Sequence, residues 1–149
     1  MKFLIPDKIY TLYGLEIKEK ILPKRFKPGM LLSNGTGVVK YVTVHNTSDI
    51  NEAKGTNDAE QYARATFNGN MKDVSVHYYI DETDCWHLLY DREMGLHATD
   101  GLNGKGNGTS IAIEIIMDGS GSAADKKAEA RGALLCAIKL HEYGLGISR

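Results

Sequence analysis

The chain has 149 residues, 42% hydrophobic and 25% charged, the size and balance of one domain around one core. Its 18 basic and 19 acidic side chains give a formal net charge of -1, so no broad positive field exists to hold a phosphate backbone, and nucleic acid is excluded as an expected partner. The run Phe3-Leu4-Ile5 is too short for a signal peptide, and no stretch approaches the roughly 20 apolar residues of a membrane span. The expectation is a cytoplasmic protein without membrane insertion.

In chain order, all three prolines (Pro6, Pro23, Pro28) fall early, among short apolar runs broken by Gly14 and basic residues. Residues 1–37 therefore read as an irregular N-terminal arm, and 38–149 as the domain proper. After the turn signal Asn34-Gly35-Thr36-Gly37, the β-branched and aromatic run Val38 to His45 predicts the first strand. Asp58 is placed to cap a helix reaching Phe67, closed by Asn68-Gly69-Asn70. Val74–Ile80 and Cys85–Tyr90 predict two strands around the acidic turn Asp81-Glu82-Thr83-Asp84, and Asp91–Thr109 is a glycine-rich loop. The run Ile111 to Ile116 predicts a central strand covered on both faces. From Ala124 to Tyr143, Ala130, Leu134, Ala137, Ile138 and His141 recur at helical spacing, predicting a helix that buries this face and is capped by Gly144. The order implies an α/β fold, a central mixed sheet flanked by α-helices. Cys85 and Cys136 read as free, buried thiols.

Several residues invite chemistry. His45, at a strand end before polar residues, could present a metal or act as a base, or simply bond to its own loop. Glu114 is one carboxylate within a six-residue apolar strand, where desolvation favours proton transfer near neutrality. His77, mid-strand, reads as a packed support. His97 lies in the glycine-rich loop, suited equally to a ligand or to the surface. The loop Gly101–Gly108 feeds a strand rather than a helix, which argues against a phosphate cradle. Cys85 with His87, and the acidic residues Asp81, Glu82 and Asp84, mimic a metal pair and a glycosidase carboxylate pair only weakly.

Four blocks in order, Tyr41-Val42-Thr43-Val44-His45-Asn46-Thr47, Ser75-Val76-His77-Tyr78, His97-Ala98-Thr99-Asp100-Gly101 and the stretch from Asn107 to Ile115, resemble the type-2 N-acetylmuramoyl-L-alanine amidases. The likeness is to the phage and prophage endolysin type, related to peptidoglycan-recognition proteins. It implies hydrolysis of the amide between N-acetylmuramic acid and the L-alanine of peptidoglycan, with one Zn2+ held by two histidines and a cysteine or aspartate. By position, His45 matches the first zinc ligand and Glu114 the carboxylate that activates water and returns its proton to the leaving amine. His97, Asn107 and Asn46 match substrate-binding positions, and His77 a supporting one. The family's other two ligands follow the last helix, where this sequence runs from Tyr143 to Arg149 without a His and Cys pair. The resemblance thus implies an incomplete metal site, with a non-catalytic peptidoglycan-binding module as the alternative. It further implies an enzyme that acts on the wall after release, and it leaves the oligomeric state open.

Overall fold

A computed structural model of the chain describes residues 3–48 and 58–146. The polar loop after His45 lies outside the described residues from position 49, as do the last three positions of the chain.

The first departure from expectation is the arm. It is not irregular: strands β1 (Lys8–Leu12) and β2 (Leu15–Glu19) pair antiparallel, with Leu12 opposite Leu15. The two-residue turn has Tyr13 at φ 47° and Gly14 at φ 81°, the left-handed pair that a tight hairpin requires. A tyrosine at the first of these positions hides the turn from a search for Asn-Gly or Asp-Gly.

Strand β2 joins the main sheet by pairing in parallel with a later strand, which seats Glu19 beside His87. Next come a 3-10 turn (Lys24–Phe26), the single turn α1 (Leu32–Gly35), strand β3 (Tyr41–Asn46) and helix α2 (Ala59–Phe67). The chain continues through β4 (Tyr78–Ile80), β5 (Cys85–His87), the short α3 (Lys105–Thr109), β6 (Ser110–Ile115) and α4 (Ala123–Glu142). The sheet order is β1-β2-β5-β4-β6-β3, with β6 parallel to both β4 and β3, and β5 antiparallel to β4. This is the expected mixed sheet with helices on it.

Helix α2 starts where the sequence places its cap, Asp58 accepting from the amide of Gln61, and α4 starts at Ser122, which accepts from that of Asp125. Helix α2 covers one sheet face, with Ala59 and Ala63 against Tyr79, Trp86 and Ala112. Helix α4 covers the other, with Ala128, Leu135 and Ile138 among Ile80, Ile113 and Ile115. The face expected for α4 is mostly wrong. Ala130, Leu134, Ala137 and His141 are exposed, and of the five named residues only Ile138 is buried. Gly132 explains the choice, because a Cβ there would stand 2.5 Å from Cδ1 of Ile115. The face that carries Ala128 and Gly132 lets helix and strand approach closely.

That helix face also buries Lys139, at 3% exposure. Its Nζ donates to Asp91 Oδ2 at 3.0 Å and to Glu142 at 2.9 Å, while Asp91 also accepts from Tyr78 Oη at 2.6 Å and Tyr143 Oη at 3.1 Å. Burial works against the Asp91 charge, yet the Lys139 ammonium and the Tyr78 hydroxyl hold its carboxyl below the usual range. The predicted strands Val74–Ile80 and Cys85–Tyr90 are each only three residues long, and Ser75 bridges instead to Leu96 in the long loop. Both cysteines are free; Cys85 is buried, which pushes its thiol up to about 12, and Cys136 is half-buried.

Candidate active site

The parallel register of β3, β6 and β4 sets His45 opposite Glu114, and Glu114 opposite Tyr79. Residues so paired project from the same sheet face, here the face that α2 covers through Tyr79. Both His45 and Glu114 are half-buried. Asn46, the next residue along β3, pairs with Ile115 and so belongs to the opposite face. It is exposed, and its Oδ1 accepts from Ser48 Oγ at 2.7 Å. The structure therefore does not bring Asn46 to His45 and Glu114.

It does bring His97. Nδ1 of His97 lies 3.2 Å from Nε2 of His45, with the rings edge-on at 5.4 Å between centroids. Burial first, then the neighbouring imidazoles of His77 and His45, lower the pKa of His97 to about 4. It is neutral at pH 7, so one ring of the pair donates and the other accepts.

The loop that carries His97 is held from inside. Asn107, 2% exposed, accepts at Oδ1 from the amides of His97 and Ala98, both at 2.7 Å, and donates from Nδ2 to the carbonyls of Ala98 at 2.7 Å and Gly101 at 3.2 Å. Its amide is fully engaged, so it shapes the groove by fixing His97. His77 supports from below. Its Nδ1 accepts from the amide of Ala112 at 3.0 Å, and its Nε2 donates to the carbonyl of Glu93 at 2.8 Å, which assigns the proton to Nε2. Complete burial drives its pKa down to about 4.

Two features lay outside the sequence reading. The glycine-rich loop cradles an anion of its own: Asp100 accepts from the amides of Gly106 at 2.7 Å and Asn107 at 3.3 Å, at the start of α3. A Cβ at Gly106 would come within 2.6 Å of the Ala98 side chain, and one at Gly104 would collide with Asp100. The glycines thus serve close packing of the loop on itself. The second is Tyr79, beside Glu114 in register, whose hydroxyl meets Thr66 Oγ1 at 2.9 Å. The strand alternation of Tyr78 and Tyr79 hinted that one of them shares the face of Glu114.

The weaker alternatives separate spatially. Cys85 packs in the core beneath α4, whereas His87 stacks on Tyr78 at 4.5 Å and meets Glu19 at 3.2 Å. Asp81 accepts from the amides of Ala59, Thr83 and Asp84, and Asp84 pairs with Lys18 at 2.6 Å. Those carboxylates hold a helix start and a turn.

The family model for N-acetylmuramoyl-L-alanine amidase matches residues 35–149, which span His45, His97 and Glu114. The chain belongs to the N-acetylmuramoyl-L-alanine amidase family. The amidase XlyB of Bacillus subtilis (strain 168) is 34% identical over 110 residues, covering 74% of this chain and 32% of that protein. The amidase CwlH of the same strain is 43% identical over 81 residues, covering 54% and 31%. The chain thus spans about a third of the length of the curated relatives it matches. Among solved structures, PlyL is similar with a TM-score of 0.75 at 26% identity, over 89% of this chain and 77% of that one. The catalytic domain of XlyA gives 0.71 at 30% identity, over 87% and 78%. Fold and type-2 amidase family therefore agree with the resemblance read from the four blocks.

Whether the amidase residues present would suit zinc can be judged from their geometry. Two nitrogens bound to one tetrahedral zinc lie roughly 3.3 Å apart, a spacing that Nε2 of His45 and Nδ1 of His97 match at 3.2 Å, although here a hydrogen bond joins them. Among the described residues, however, no group of three or more His, Cys, Asp or Glu side chains is arranged to hold a metal.

Proposed function

We propose that this amidase-family domain hydrolyses the amide between N-acetylmuramic acid and the L-alanine of peptidoglycan. The observation that carries the reading is the register of His45 opposite Glu114 on parallel strands, with His97 beside His45. Glu114 receives the proton of the attacking water and returns it to the leaving amine. His45, oriented by the neutral ring of His97, faces the same reacting group. Zinc, if the full ligand set is assembled, would supply Lewis-acid activation of that water, with His45 among its ligands. The substrate is insoluble wall, and no described helix is long and apolar enough to cross a membrane.

The test is incubation of purified cell walls with the chain, following turbidity, released amino groups and reducing sugar ends. The expected product is amino groups without reducing ends, lost in Glu114→Gln. Wall binding that persists in chelator with no release of either product would replace hydrolysis with a binding module.

A further inference from the structure

A groove leaves His97 and ends among cations supplied by the N-terminal arm and by Lys72. Near His97 a cavity of about 370 Å³ is bounded by Asp73 and Leu96. The same two residues bound a second cavity of about 200 Å³, whose far walls are Arg25, Lys27 and Lys72. The two cavities are therefore neighbours along one path.

The arm is fixed in this position. Phe26 lies against Gly69 of the turn after α2, where a Cβ would stand 2.5 Å from Cε1 of the ring. Lys27 donates to both oxygens of Glu93 at 2.8 Å, and the guanidinium of Arg25 sits 4.7 Å from the centre of the Phe26 ring. Lys27 is neutralised by Glu93, and Asp73 places one carboxylate where the cavities meet. Arg25 and Lys72 are exposed and have no ion-pair partner among the described residues. The end of the groove therefore has an excess of positive charge, with a guanidinium held by an aromatic ring, a geometry suited to a carboxylate. Arg25 and Lys27 precede position 35, where the family match begins, whereas Lys72 lies within it.

We propose that Arg25, held by the docked arm, and Lys72, on the turn after α2, form a subsite for a carboxylate of the stem peptide attached to the scissile amide. The inference rests on the wall-amidase reading of the groove. It assigns to this chain a preference for stem peptides with free carboxylates over those with carboxamides.

The experiment is calorimetric titration of the 149-residue chain with N-acetylmuramoyl tetrapeptide and with the same compound amidated at its carboxylates. The free acid is expected to bind about threefold to tenfold more tightly at low salt, the range for two exposed charges, and to lose that advantage in high salt. In the doubly substituted Arg25→Gln, Lys72→Gln protein the preference should vanish, and in Arg25→Glu, Lys72→Glu it should reverse. Far-ultraviolet circular dichroism shows that each variant folds. Equal binding of acid and amide by the unsubstituted chain overturns this subsite and leaves the amidase reading intact. No binding of either compound overturns both. Competition by soluble poly(glycerol phosphate), with no preference between acid and amide, would assign the cations to a wall phosphodiester instead and reject the peptide carboxylate.

Discussion

Nε2 of His45 lies 3.2 Å from Nδ1 of His97, although 52 positions separate the two in the chain. One comes from the end of β3, the other from a loop held shut by Asn107. The catalytic reading of the site depends on this meeting and on the register that sets Glu114 beside His45.

Glu114→Gln keeps the size of the side chain and removes its basicity. Amide hydrolysis is expected to slow by about 10²- to 10⁴-fold, the usual contribution of a positioned acid or base. The check is the rate of amino-group release from cell walls, with thermal unfolding to verify that the variant remains folded.

Asn107→Ala leaves the amides of His97 and Ala98 without their acceptor, and an unpaired buried group costs about 1–3 kcal/mol. Urea unfolding should report a loss of that order for each group that water cannot reach. The variant's hydrolysis rate should fall along with His97 order. Unchanged activity in a destabilised variant would show that the loop does not position the reacting groups.

The pH dependence follows from His77. Its folded pKa, about 4, lies below the ordinary histidine value of about 6.5. Between these values the unfolded chain binds the proton and the folded chain does not, so stability falls as pH drops from about 6.5 towards 4. The full effect is of order 3 kcal/mol. Denaturant unfolding at pH 7 and pH 4.5 should show the decline, and His77→Gln should lessen it, leaving the part due to His97. Equal slopes in the two proteins would count against a neutral, buried His77.

Adjacent leucines test which face of α4 is buried. Leu135 is 0% exposed and Leu134 40%. Leu135→Ala should cost about 2–5 kcal/mol, and Leu134→Ala within about 0.5 kcal/mol of nothing. Urea midpoints distinguish the two, and the reverse order would restore the face suggested by periodicity.

Asp91→Ala should cost about 3–5 kcal/mol, because it leaves the buried Lys139 ammonium with Glu142 alone and takes the acceptor from the Tyr78 and Tyr143 hydroxyls. Adding Lys139→Met should recover much of that loss, as judged from unfolding free energies of the single and double variants.

The sequence by itself determined the apolar strand around Glu114, the cap Asp58, and the ordered blocks that mark the amidase family. These are local signals, since alternation, capping and short motifs act within a few residues. Tertiary structure decided the rest. The arm became a hairpin because its left-handed turn tolerates Tyr13, and it joined the sheet through contacts with β5 that no local pattern encodes. The buried face of α4 was decided by where Gly132 permits close approach to Ile115 and where Asp91 draws in Lys139, both properties of the opposing surface. Asn46 separated from His45 by the alternation of one strand, and His97 is held beside His45 by a loop that Asn107 closes behind it. Identity of a residue is written in the chain; proximity is set by register and loop closure, which are settled only when distant segments pack.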